Sequence, residues 1–216
     1  MNVRGKMIEQ DRIKSVVVEY EKSQVITEQE VRSKFLVPLI EALGYKSELR
    51  AEEFPVFGFE GKKKLPVKKA DFILFSKKEY NSHRCFKQED IEWVQNHSLL
   101  VVEAKRPGEL AEVDGQAQFY TMWTRTPAYI VSDGIEIRGY YHTVGCADIN
   151  SFSCKIDEID LWIDKINCFS VDLLQKVKNA TREFYYNLLV KGEYIGAIYL
   201  FTKTHMLRNL EKSNLY

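Results

Sequence analysis

Residues 99–110 read "LLVVEAKRPGEL", four aliphatic residues that run without a break into Glu103, Ala104 and Lys105. A strand apolar on consecutive positions is covered on both faces and belongs in the middle of a sheet. Charge is expensive there, so Glu103 and Lys105 need a reason. Side chains alternate across a strand, which puts Glu103 and Lys105 on one face and turns Ala104 to the other, where a small side chain leaves room for packing. The pair is aimed at a common point. An ion pair closing a strand end explains it without any chemistry, and the rest of the chain has to decide.

Working outward, "ADFILF" (Ala70–Phe75) reads as a second buried strand with Asp71 near its start. Downstream, the loop "RPGE" leads to a helix over about Val113–Trp123, and "PAYIVSDGIEIRGYY" gives two strands around the turn dipeptide Asp133-Gly134. Upstream, Ile13, Val16, Val17 and Tyr20 recur at helical spacing within Gln10–Glu21. In "TEQEVRSKFLVPLIEALGY" (Thr27–Tyr45), Thr27 and Glu30 form a capping box, Val31, Phe35, Leu39 and Leu43 follow every four residues, and Gly44 stops the helix. Pro38 is expected to kink it. The charged segment Glu48–Lys69 reads as strand edges and a mobile loop, and Ser76–Ser98 as irregular with a short helix near Glu89–Val94. Helix, strand, strand, helix, strand, strand makes a mixed α/β sheet flanked by helices.

Past Tyr141 the pattern changes. Ser170–Leu189 is an amphipathic helix, and "YIGAIYLF" fits helix or strand equally. The expected organisation is one sheet domain over residues 1–145 with a mainly helical extension over 146–216 packed on it. A chain of 216 residues has room for that core. Its 31 Lys and Arg cancel its 31 Asp and Glu, so any nucleic-acid surface must be local, with Lys62, Lys63, Lys64, Lys68, Lys69, Lys77 and Lys78 as candidates. Cys85, Cys146, Cys154 and Cys168 form no CxxC pair and no zinc spacing, and read as free thiols of a reducing compartment. With no signal-peptide core and no apolar run long enough to span a bilayer, the expected location is cytoplasmic.

Asp71 and Glu103, brought together by neighbouring strands, would form an oxygen-rich site of the kind hard divalent cations prefer. Magnesium binds one or two carboxylates and leaves positions for water and phosphate oxygens. Lys105 could orient or deprotonate the attacking water and stabilise negative charge at phosphorus. The bland alternative keeps Asp71 as a strand-start residue with Lys105 as its salt-bridge partner.

The spacing Asp71 … Glu103-Ala-Lys105 resembles the signature of the PD-(D/E)XK nucleases, with Ala70 where the name has proline. More specifically, "TEQEVRSKFLVPLIEALGY", "KKADFILF", "LLVVEAKRPGEL", "GQAQFYTM" and "TPAYIVSDG", in that order, resemble the N-terminal nuclease domain of type I restriction enzyme R subunits and their smaller relatives. The resemblance implies a restriction-endonuclease-like sheet and a magnesium-dependent DNA endonuclease of restriction-modification or phage defence, with manganese able to substitute. It makes Asp71 and Glu103 metal ligands, Lys105 the catalytic lysine, and Glu30 the helix acid that completes the metal site, Glu41 being the other candidate. It also matches Gln116 and Tyr120 to the glutamine and tyrosine of the RecB-like branch, one helical turn apart and so on one face. The chain contains no GxxxxGK[ST] phosphate loop for a motor. It is therefore expected to be a stand-alone small nuclease or a fragment of something longer, working with DNA alone, as a homodimer or in a larger defence complex. The rival readings are a non-catalytic DNA-binding or assembly module with the same fold, and a structure-selective repair nuclease or RNase.

Overall fold

The computed structural model describes residues 3–56, 59–60, 63–64, 68–77, 88–110, 114–143 and 146–190. Among the described residues eight strands and seven α-helices follow in the order α1 (Val3–Glu21), α2 (Glu28–Glu30), α3 (Val37–Ala42), β1 (Arg50–Val56), β2 (Phe59–Glu60), β3 (Lys63–Lys64), β4 (Lys68–Phe75), α4 (Gln88–His97), β5 (Ser98–Ala104), α5 (Asp114–Thr124), β6 (Ala128–Ser132), β7 (Glu136–Tyr141), β8 (Ile149–Lys155), α6 (Ile163–Asn167) and α7 (Val171–Val190). Six strands make one sheet in the order β1-β4-β5-β6-β7-β8, and β2 and β3 pair separately. Every neighbouring pair in the main sheet is antiparallel except β5 and β6, which α5 joins as a parallel crossover.

All seven residues of β5 are buried, because helices cover both faces of the sheet. On one face Phe72, Leu74, Leu100, Val102, Ala104 and Ile130 pack with Ile13, Val17, Val31, Phe35 and Leu39 of the N-terminal helices and with Ile163 and Ile166 of α6. On the other, Ile73, Val101, Tyr129 and Val131 pack with Val94 of α4 and with Ala117 and Tyr120 of α5. The expected mixed sheet flanked by helices is the observed fold.

Two elements differ from expectation. Between α2 and α3 the helix opens into a π-helical stretch, Val31–Leu36, in which the Val37 N–H donates to the Arg32 carbonyl. Pro38 has no N–H to continue a four-residue ladder, and the widened turn ahead of it accommodates the loss. One consequence is that Arg32 is buried with Val31, Phe35 and Leu36. The second difference lies past Tyr141. Residues 149–155, within the segment read as a mainly helical extension, form the sheet's edge strand, held where Phe152 crosses Gly139 so closely that a β-carbon on the glycine would meet its ring.

The chain divides into two compact units, Met1–Gln175 and Lys176–Tyr216. The described part of the second unit is the remainder of α7, in agreement with the helix read from Ser170–Leu189. "YIGAIYLF", Cys85, Lys62 and Lys78 lie outside the described residues; Lys68, Lys69 and Lys77 are exposed. Among the described residues Cys146, Cys154 and Cys168 are free thiols, and no helix is long and apolar enough to cross a membrane.

Candidate functional site

The ladder between β4 and β5 runs through Phe72 opposite Val102 and stops before Asp71 and Glu103, which that register sets face to face. Their side chains take over the pairing. Asp71 N–H donates to Glu103 Oε1 at 2.9 Å, and Ala104 N–H donates to Asp71 Oδ2 at 2.7 Å. Each carboxylate thus satisfies a backbone donor that the splayed strands would otherwise leave bare. They lie on the face covered by α5, while Ala104 is fully buried on the other, as alternation requires.

Helix α5 closes the site. Gln116 Nε2 donates to Glu103 Oε2 at 3.3 Å and to Tyr120 Oη at 2.9 Å, Gln116 Oε1 accepts from Lys105 Nζ at 3.5 Å, and Tyr120 Oη donates to the Lys69 carbonyl at 3.0 Å. The spacing of four puts Gln116 and Tyr120 on one face, with Gln116 bridging acid, lysine and phenol. The backbone after Lys105 is tied down too. Lys105 N–H donates to the Ser132 carbonyl at 2.9 Å, and Gly108 N–H donates to Asp133 Oδ2 at 2.9 Å. Asp133 also accepts from the amides of Ile135 and Glu136, so one buried carboxylate shapes both the β6–β7 turn and the RPGE loop.

Burial dominates the electrostatics. It pushes the Glu103 carboxyl well above the usual range, with repulsion from Asp71 adding to it. Burial likewise raises Asp71, partly offset by the Ala104 amide and by Arg32. Tyr120 is pushed up to about 12, first by burial and then by the charge of Glu103. Among the described residues the cation that contacts Asp71 is Arg32, with Nη1 3.5 Å from Oδ1. A salt bridge from Lys105 to Asp71 is not how this site is built, since Lys105 turns to Gln116.

Asp71, Glu103, Lys105, Gln116 and Tyr120 come together, and the helix acids do not join them. Glu30 accepts from the amides of Ile26 and Thr27, the Thr27 hydroxyl and Lys34 Nζ, contacts led by Lys34 that lower its carboxyl to about 2. The capping box therefore occupies it. Glu41 is exposed and pairs with Arg50 at 3.4 Å. Among the described residues no three His, Cys, Asp or Glu form a metal cluster. The helix acid whose charge does reach both site carboxyls, raising each, is Glu28. Glu28 and Arg32 are thus the residues that sequence reasoning passed over. Their spacing of four on a helix already holding Glu30 was the available signal; the π-helical stretch that buries Arg32 was not visible.

No family model matches the chain, and no curated protein matches it. A solved fragment described as an HsdR subunit of a type I restriction enzyme from Vibrio vulnificus YJ016 is similar at 18% identity and a TM-score of 0.40, over 68% of this chain and 26% of that one. The chain therefore spans about a quarter of that structure's length.

Proposed function

We propose that the protein is a metal-dependent endonuclease that hydrolyses phosphodiester bonds of DNA inside the cell, in restriction or phage defence, alone or within a larger complex. The observation that carries this reading is the placement of Asp71 and Glu103 face to face at a splayed strand end, with Lys105 and Gln116 beside them. Two hard oxygen donors from adjacent strands, both raised by burial, form a set whose strain a cation relieves. Asp71 and Glu103 would hold magnesium, with manganese as substitute. When bound, the ion polarises the phosphate and acidifies water.

The chain's own groups supply the rest. Water adds through oxygen to phosphorus, loses a proton, and the opposite P–O ester bond breaks as its oxygen is protonated. Lys105 places a positive charge beside the oxygens that gain charge as this happens. Gln116 fixes both the lysine and Glu103, and Tyr120, anchored on the Lys69 carbonyl, fixes Gln116. Glu28 adds negative potential that strengthens cation binding. The test is cleavage of duplex DNA, single strands and RNA with magnesium, calcium or excess chelator, using wild type and Asp71→Asn. Cutting of DNA with magnesium, lost in chelator and in the variant, is the expected result. Cutting that survives chelator, or that Asp71→Asn leaves intact, refutes the reading, and cutting confined to RNA moves the substrate.

A further inference from the structure

Arg32 is 8 % exposed, yet its pairing is loose. Nη1 stands 3.5 Å from Asp71 Oδ1 and 3.7 Å from Glu53 Oε1, longer than the roughly 2.7–2.9 Å of a tight charge-assisted bond. Its Nε has no hydrogen-bond partner, and the guanidinium carbon lies 5.2 Å from the centre of the Phe72 ring. A guanidinium stays charged at any accessible pH, so this buried cation cannot ease its situation by losing a proton. It is shared between two acids and locked to neither.

Those acids differ. Asp71 is the half-buried member of the carboxylate pair. Glu53 lies opposite it across β1 and β4, between the paired Glu52–Phe72 and Phe54–Ala70, and is 57% exposed with Oε2 3.0 Å from Lys69 Nζ. Its φ of +47° is uncommon for a residue with a side chain, and such conformations persist only where the surroundings enforce them. A cation arriving at Asp71 would face the Arg32 charge at close range. Glu53, 3.7 Å from the same nitrogen, already stands within reach to receive it.

We infer that Arg32 is a transferable counter-ion: it neutralises Asp71 while the carboxylate pair holds no cation and passes to Glu53 when one binds, so that Arg32 and Glu53 set metal affinity in opposite directions. This rests on the reading of Asp71 and Glu103 as a cation site. Both residues are positioning residues, and the inference concerns binding, not the chemical step.

The experiment is calorimetric titration of manganese into the full chain as wild type, Asp71→Asn, Arg32→Gln, Glu53→Gln and the double variant Arg32→Gln/Glu53→Gln. Arg32→Gln should tighten binding roughly tenfold, the scale expected for removing a unit charge near the ion in a partly screened site. Glu53→Gln should weaken it several-fold, and should do almost nothing once Arg32 is gone. A Glu53 effect of equal size in both backgrounds would mean a general field in place of a hand-over, and overturns the inference. So does unchanged or weaker binding by Arg32→Gln while Asp71→Asn abolishes it. Metal binding unaffected by Asp71→Asn overturns both this inference and the site it rests on. If Arg32→Gln does not fold, the surface variants Glu53→Gln and Glu52→Gln decide: affinity lost with Glu53 alone supports the hand-over, and no loss, or equal loss from both, refutes it.

Discussion

Replacing Glu103 by glutamine keeps the shape of the side chain and removes one buried charge, so in chelator near neutral pH the variant should be at least as stable as the wild type. Glu103 is 1 % exposed, and burial with the neighbouring Asp71 holds its carboxyl above the usual range. Such a carboxyl binds more protons in the folded than in the unfolded chain at any pH between its unfolded value, about 4.3, and its raised folded value. Stability is therefore greatest below the unfolded pKa, falls as pH rises through that window, and stays low above it. Asp71 shifts the same way for the same leading cause. Each pH unit of the window costs the wild type at most about 1.4 kcal/mol per group. The variant escapes the Glu103 share. It keeps an oxygen for the Asp71 amide but turns an amide NH2 toward Gln116 Nε2, and losing that 3.3 Å contact costs about 0.5–1.5 kcal/mol. A window of one unit or more leaves the variant level or ahead, and each kcal/mol in its favour raises Tm by about 2–4 °C. Thermal unfolding from pH 4 to 8 in chelator measures this. The advantage should vanish at the acid end, and magnesium should reverse the order at neutral pH by stabilising only the wild type. Loss of about 3 kcal/mol by the variant at pH 7 in chelator would show instead that Glu103 is the ionised half of a structural pair, and would refute the argument.

Lys105→Ala should lower single-turnover cleavage by about a hundredfold or more while DNA affinity in calcium changes by about twofold or less, because one cation among many phosphate contacts contributes little to binding; a binding defect with normal cleavage makes Lys105 a tether. Glu28→Gln should weaken metal binding and cleavage, whereas Glu30→Gln should leave both unchanged and reduce helix stability above about pH 4.5, the range in which a carboxyl lowered to about 2 contributes; the opposite pattern would return Glu30 to the site. Gly139→Ala should cost about 1–3 kcal/mol in chemical unfolding, since its β-carbon would collide with Phe152; an unchanged midpoint would mean β8 is not pinned there.

What the sequence made legible follows from which forces act locally. The continuous apolar run of β5, the alternation that turns Ala104 away from Glu103, and the capping box of Thr27 and Glu30 are short-range consequences of residue type, and each appears as read. So does the one-face placement of Gln116 and Tyr120, which needs only the period of a helix. The strand over residues 149–155 was not legible. "INSFSCK" buries only Phe152 and Cys154, too few apolar residues to announce a strand, and it is held by Gly139 more than a dozen residues away. Arg32 was hidden for a related reason: its burial depends on a π-helical stretch set by Pro38 and on an acid supplied by another strand. Glu30 illustrates the converse, since its local use in a cap was legible from the start and local use is what prevails.

The site also answers why an apolar strand should run into a glutamate and a lysine. Strands β4 and β5 separate at Asp71 and Glu103, and separation leaves the amides of Asp71 and Ala104 without partners inside a covered sheet. Bare buried donors cost about 1–3 kcal/mol each. Carboxylate oxygens capture both, at 2.9 and 2.7 Å, so the acids that repel each other are also the groups that hold the splayed end together. That double use predicts a difference between two neutralising changes. Asp71→Asn keeps one oxygen, and hence either the Ala104 amide or a useful orientation toward Arg32, but it removes the charge Arg32 leans on. Glu103→Gln removes charge only from beside the half-buried Lys105, which keeps Gln116 as a partner. In chelator Asp71→Asn should therefore be the less stable of the two, by about 1–2 kcal/mol, because it leaves Arg32 buried with only Glu53 for company. Equal melting temperatures would mean that Arg32 draws nothing from Asp71, and that the charge balance of the metal-free site is set elsewhere.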